Sequence, residues 1–447
     1  MPRPRVLLLC ATTSYRTEDF IAAARRLDVE AVVGSDRCHV LAEVLDFRDG
    51  SLALDLRHPD AAVEQIVAAA EGGQRFDALV PTNDATAVIA AHAARRLGLA
   101  SNPPEAAYTA RNKRRMREAL TQAGVPCPRF ISFPMTLDAG AAEAEVARAI
   151  GYPCVLKPLL LSASRGVIRA DDAASFTRAL GRLRALLETP ELRAQAEVDP
   201  AGAEVLVECF VPGREVALEG ILVGGQLHTL ALFDKPDPLD GPFFEETLYV
   251  TPSRLPAEVQ AAVSAVTAQA TRAMGLVSGP VHAELRVEMR DGVAAAPAIA
   301  VIEVAARTIG GLCARTLRFS LGEGPSASRD EGAGAAEGPT LEELVLGMAL
   351  GLYEAPPPRQ GGAAGVMMLP VPGAGVLQGV AGEEEARAVP GIVELAMTTR
   401  VGETLVPLPE GASYLGFLFA RGATPEAVEA ALREAHGRLR FDIAALL

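Results

Sequence analysis

The chain has no tryptophan, and aromatic residues make up only 4% of its 447 positions, so it offers little on which the bases of a nucleic-acid strand would stack. A net charge of −14 points the same way, because such surfaces need clustered basic residues to meet phosphate charge. Nucleic acid is therefore not an expected partner. Cysteine is sparse: Cys10, Cys38, Cys127, Cys154, Cys209 and Cys313 are scattered without a C-x-x-C pair, which indicates neither a zinc site nor a disulfide framework. No apolar run reaches the ~18 to 20 residues that a membrane span requires, although 49% of the residues are hydrophobic, and no membrane partner is expected. The apolar run after Arg5 is short and gives way to Thr12, Thr13 and Ser14. It reads as a first β-strand rather than a secretory signal, and the expected location is cytoplasmic.

Lysine is the scarcest charge. Of 42 basic residues only Lys113, Lys157 and Lys235 are lysines, so arginine carries the generic surface charge and each surviving lysine is a candidate for a specific task. A compact ammonium suits phosphate groups.

At this length the chain should divide into about two to four domains. From Arg5 to Ala100 strand patterns at Val6–Leu9, Val29–Val33 and Ala78–Pro81 alternate with helical ones at Thr17–Leu27, Asp60–Ala70 and Ala85–Leu97, which predicts a parallel α/β unit of doubly wound type. No G-x-G-x-x-G follows the first strand, so a dinucleotide site is not expected there and the unit serves substrate or scaffold. A basic amphipathic helix follows over Lys113–Ala123, then a strand ending at Lys157-Pro158 and the small-residue loop Ser162-Ala163-Ser164-Arg165-Gly166. Small residues let backbone N–H groups approach phosphate, and they equally suit a tight hairpin.

The segment VLVECFVPGREVALEG pairs two strands around a Pro-Gly turn. Phe210 and Val211 would offer a flat slot for a purine and Glu215 would reach ribose hydroxyls; buried pairing between strands accounts for the pattern equally well. A Pro-rich loop after Lys235 carries Phe243, Phe244, Glu245 and Glu246, and long ordered loops of this kind tend to be functional. From Gly279 to Gly311 two apolar strands, Val281–Met289 and Ile299–Ala305, flank a turn at Asp291-Gly292. They hold Glu284 and Glu303, with Arg307 four residues further on. Two carboxylates beside a cationic fork suit Mg²⁺ and a nucleotide's phosphates, or else a hairpin with edge carboxylates and a salt-bridged arginine. His282, two residues before Glu284, reads as a packed core histidine. Beyond lie a low-complexity stretch, 322–339, expected to be mobile, a helix over Leu341–Leu352, and a compact α+β unit ending in a helix over Pro425–Leu439.

Taken in order, Lys113, Lys157-Pro158, the SASRG loop, the V-E-C-F-V strand with Glu215, and the Glu284 to E-V-A-A-R pair resemble the ATP-grasp superfamily over nearly the whole chain. The resemblance implies α/β and α+β architecture: a Rossmann-like N-terminal domain (1–110), an ATP-grasp region (111–321) whose lid subdomain spans about 125–212, the loop 322–339, and a C-terminal α+β region (340–447) that closes the ATP-grasp domain. It implies that Lys113, Lys157, Lys235, Ser162, Ser164 and Gly166 serve the ATP phosphates. Glu208, Cys209 and Val211 would meet adenine, Glu215 the ribose, and Glu284 and Glu303 Mg²⁺, with Mn²⁺ as the alternative ion. Ala305 stands where many members carry asparagine, which leaves the number of metal ions open.

The E-V-A-A-R form followed by Gly310-Gly311 looks like the subgroup that contains bacterial L-amino-acid ligases and the formate-using phosphoribosylglycinamide formyltransferase, and the run GASYLGFLFARGATPEAVEAALREAH looks like the closing domain of amino-acid and carnosine-type ligases, toward which the balance leans. That subgroup implies ATP-driven amide formation through an acyl phosphate, with small-molecule carboxylate and amine substrates. Arg307 would face the acyl phosphate, while Glu246, Gly310 and Gly311 would contact substrate. A formate- or bicarbonate-activating enzyme is the alternative, and a non-catalytic ATP-binding module the alternative of another class. A homodimer is the default oligomeric expectation.

Overall fold

The computed structural model describes residues 3–11, 15–36, 50–289, 298–320 and 338–445. The Asp291-Gly292 turn and all but the last two residues of the low-complexity stretch lie outside them. Among the described residues no helix is long and apolar enough to cross a membrane.

The N-terminal unit is a four-stranded parallel sheet in the order Ser51–Ala53, Glu30–Ser35, Arg5–Leu9, Ala78–Pro81. The continuous apolar run of Val6, Leu7, Leu8 and Leu9 is fully buried because helices cover both faces of a parallel sheet. After Ala78–Pro81 the chain turns into the helix Asp84–Leu97. Asn83 caps that helix through Thr86 N, the Thr86 side chain returns a bond to the Asn83 N–H, and Gly98 ends it in the left-handed conformation. Thr82, Asn83 and Asp84 thus stand at the carboxyl end of a strand, where open α/β sheets bind ligands.

The segment expected to be the lid forms an antiparallel sheet ordered Phe130–Pro134, Glu204–Cys209, Cys154–Pro158, Ile168–Ala170. Helices Ala139–Ala149 and Ala173–Leu187 close one core on it, around Phe133, Val146, Phe176 and Leu180. The helices Pro104–Arg111, Ala139–Ala149, Pro190–Val198 and Ala257–Ala273 are not marked by the sequence pattern. Alanine and short polar residues dominate them, so large apolar side chains are too few to print a 3.6-residue period.

The centre is an eight-stranded antiparallel sheet in the order Ala298–Ala305, Gly279–Glu288, Arg214–Val223, Gln226–Asp234, Leu248–Thr251, Ala363–Leu369, Gly416–Gly422, Ile392–Met397. The C-terminal α+β region is therefore no separate body. Three of its strands continue the sheet that begins with the acidic hairpin, and only Gly375–Ala381, Thr404–Leu405 and Arg440–Ala444 form a small sheet of their own. Helix Ala257–Ala273 covers one face of the hairpin end, while Val6 and Leu8 of the N-terminal sheet share a core with Ile221, Phe233, Leu317 and Phe417.

Candidate active site

Alternation in the central strands builds the site. In Gly279–Glu288, Val281, Ala283, Leu285 and Val287 point into a core, which leaves His282, Glu284 and Arg286 on the other face. The neighbouring strand presents Glu215, Ala217 and Glu219, and antiparallel register sets Glu215 opposite Arg286 and Glu219 opposite His282. Both cross-strand pairs close: Arg286 Nε lies 2.8 Å from Glu215, and His282 Nδ1 lies 3.1 Å from Glu219. On the other side of the hairpin Glu303 is directly across from Glu284. A bulge there makes Ile302 an extra residue, and its carbonyl accepts a 2.6 Å hydrogen bond from Arg117.

These side chains line a cavity of about 540 Å³ between the lid, the central sheet and the N-terminal unit. Every site residue read from the sequence lines it except Gly166 and Lys235. Gly166 is a correction: its N–H donates to Pro409 O at 2.8 Å and so is not presented to a phosphate. Its φ of +76° and a Cβ position only 2.7 Å from Pro158 Cγ explain the glycine instead. Lys235 sits beneath the cavity floor and donates to Glu215 at 2.8 Å, to Glu284 at 2.9 Å and to Glu246. Among the described residues Glu215, Glu246 and Glu284 bring carboxylate oxygens within 4.8 Å of one another. Glu303 is met by Lys113 at 3.8 Å.

Lys113 opens a helix that Asn112 caps, and its ammonium also donates to Leu161 O at the root of the small-residue loop. Lys157 pairs with Glu208, whose other oxygen accepts from Arg117 Nε at 3.0 Å. Burial opposes the Glu208 charge, but the two cations outweigh it and lower the carboxyl's pKa. Arg307 reaches across to the N-terminal unit, with Nε 3.1 Å from Asp84. Burial disfavours this guanidinium too, yet Asp84 and Glu303 raise its pKa and keep it charged. Around Lys235, burial and the Glu284 charge push Glu246 up to about 8, whereas Lys235 overcomes burial to hold Glu284 well below the usual carboxylate range. Burial would discharge His282, but Glu219 and Glu284 hold its pKa at about 9.

Sequence reasoning missed Arg117, Glu219, Arg286 and Asp84, and it set His282 aside as core. The histidine is buried, but it lines the cavity and bridges two carboxylates. The overlooked signal was polar residues at period two, E-V-A-L-E facing H-A-E-L-R, in strands otherwise apolar.

Family models match three stretches of the chain: the ATP-grasp N-terminal domain over residues 21–101, the ATP-grasp domain over 150–316, and the L-amino acid ligase C-terminal domain 2 over 367–444. The chain belongs to the ATP-grasp superfamily. Alanine–anticapsin ligase of Bacillus subtilis (strain 168) is 28% identical over 259 residues, 52% of this chain and 52% of that protein. Carnosine synthase 1 of Gallus gallus is 29% identical over 241 residues, 52% of this chain and 25% of its own length. The chain thus spans about half or less of the length of these named relatives. The crystal structure of an L-amino acid ligase from Bacillus licheniformis superposes with a TM-score of 0.77 at 25% identity, covering 99% of both chains. Phosphoribosylglycinamide synthetase from Anaerococcus prevotii, at TM-score 0.66 and 14% identity, shares the ATP-grasp fold.

Proposed function

We propose that the protein is an ATP-dependent carboxylate–amine ligase that joins an amino acid to an amine, forming an amide through an acyl phosphate with release of ADP and phosphate. The observation that carries this reading is the single cavity in which Lys113, Lys157, the acidic group, Arg307 and the N-terminal unit's Asp84 all meet. The C-terminal match to L-amino acid ligases favours an amino-acid substrate over formate or bicarbonate. The meeting of Arg307 with Lys113, Lys157 and the carboxylates in that one cavity favours catalysis over passive nucleotide binding.

In this reading Lys113 and Lys157 bind the triphosphate, with Ser162 and Ser164 beside it. The backbone of Glu208, Cys209 and Val211 meets adenine, and Glu215 meets the ribose. The donor set of Glu284 and Glu303, with Glu215 and Glu246 close by, is entirely carboxylate oxygen and fits a hard divalent ion. Mg²⁺ held there, or Mn²⁺ in its place, would neutralise phosphate charge. Lys235 orders the surrounding acids and keeps their mutual repulsion from opening the site.

The substrate carboxylate attacks the γ-phosphorus of ATP, and ADP leaves. The amine then attacks the acyl carbon and phosphate departs. Arg307, fixed by Asp84 and by its own bond to Thr308 O, stabilises negative charge as it develops on the acyl phosphate and the oxyanion. Glu246 receives the amino group of the activated amino acid, and Gly310-Gly311 border it without side chains. Because acyl phosphates hydrolyse, the lid must keep water out while both substrates are present.

The test is a phosphate-release screen over pairs of amino acids and amines. Release that depends on both partners, with an amide product, supports the proposal; ATP turnover that needs neither rejects it.

A further inference from the structure

One contact between the lid and the C-terminal region has no part in the scheme above. The small-residue loop after Lys157 holds Ala163 and Ser164 both at φ +55°, a conformation that L-residues adopt only when their surroundings impose it. The two residues that follow are held from a remote part of the chain. Gly166 N donates to Pro409 O at 2.8 Å, and Arg165 Nε donates to Glu410 O at 2.9 Å. The Glu410 carboxylate then forks onto Arg182 of the lid helix, with Nη2 at 2.8 Å and Nε on the second oxygen. Arg182 also lies 4.9 Å over the ring of Phe243 from the Pro-rich loop. Two and four residues beyond Glu410, Ala412 and Tyr414 line the cavity.

We propose that Glu410 is a positioning residue for the phosphate loop, a clasp through which the C-terminal region holds the lid down. One residue grips the loop with its backbone carbonyl and the lid helix with its carboxylate, so the lid cannot lift without breaking both contacts. The same short segment forms cavity wall at Ala412 and Tyr414, which joins the substrate end of the cavity to the loop over the phosphates. Arg182 and Glu410 are 44% and 35% exposed. A water-screened bidentate pair is weak enough to open on every turnover and specific enough to close in one register. The inference rests on reading 162–166 as the loop that covers the ATP phosphates.

Hydrogen exchange of the 162–167 amides tests the clasp without turnover. It should be about two- to fivefold faster in Glu410→Gln and in Arg182→Glu, the factor a pair of this exposure is worth. The charge-swapped double variant Glu410→Arg/Arg182→Glu should restore protection, and amides of the strand Gly279–Glu288 should stay unchanged throughout. ADP formed per amide, measured on the same four proteins, should rise in the single variants and return in the swap as escaped acyl phosphate is hydrolysed. Unchanged exchange in both single variants, or faster exchange that the swap does not reverse, overturns the clasp. If the wild-type protein shows no ligation, the functional reading fails, and the exchange data alone decide whether the clasp exists.

Discussion

Arg117 is the largest fully buried side chain among the described residues, and replacing it with methionine removes the tie between three parts of the site. It lies on the helix that begins with Lys113, holds Glu208 on the lid's strand at 3.0 Å, and holds Ile302 O, beside Glu303, at 2.6 Å. In Arg117→Met the Glu208 carboxylate, 2% exposed, keeps only Lys157, and the Ile302 carbonyl loses its charged donor. Breaking a buried pair costs about 3–5 kcal/mol. The remaining Lys157 contact places this case near the lower end, so the expected loss is about 3 kcal/mol in denaturant unfolding followed by fluorescence of a dye that reports exposed apolar surface. The KM for ATP should rise more than kcat falls, because Lys157 is drawn to Glu208 and away from phosphate. Adding Glu208→Gln should lower stability further, because it leaves the buried Lys157 ammonium without its carboxylate partner. A loss below about 1 kcal/mol, within the range of a surface pair, would refute the assignment of a buried charge network here.

Other substitutions separate the proposed roles. Arg307→Ala should leave nucleotide affinity nearly intact by calorimetry while cutting ligation about 10²- to 10³-fold, whereas Glu303→Ala should raise the Mg²⁺ and ATP requirement; equal effects on both measurements contradict the division. Glu246→Gln should raise KM for the amino acid without moving KM for ATP, and a change confined to ATP would reassign the residue to the nucleotide. Gly166→Ala places a Cβ 2.7 Å from Pro158 Cγ at φ +76° and should cost about 1–2 kcal/mol from backbone conformation alone, with an uncoupled ATPase rising as the loop shifts; a neutral result would show that the loop is not held in that conformation.

Much of the fold was legible because its signals are local. The buried run R-V-L-L-L and the apolar Gly279–Glu288 strand each declare an element from neighbouring residues. Helices such as AGAAEAEVARA escaped because alanine satisfies helix propensity without marking a face. In the site, the residues that line the cavity could be named one by one, but their partners could not. Nothing in the sequence around Lys235 says that its ammonium meets Glu215, Glu246 and Glu284, since those contacts depend on the register of three strands. Asp84 is 223 positions from Arg307, and the pairing exists only because the N-terminal sheet packs its carboxyl edge against the hairpin. Gly166 misled for the opposite reason: its local context fits a phosphate loop, and only the remote Pro409 carbonyl shows where its N–H goes.

The central claim is that ATP cleavage here serves to join a carboxylate to an amine. Mixing the protein with Mg-ATP, an amino acid labelled with ¹⁸O in its carboxylate and an unlabelled amine measures it directly, by following the label into products. One ¹⁸O atom is expected in the released phosphate for each amide formed, since the carboxylate oxygen bridges carbon and phosphorus in the acyl phosphate. Amide formed with unlabelled phosphate, or phosphate released at the same rate without the amino acid, would contradict it.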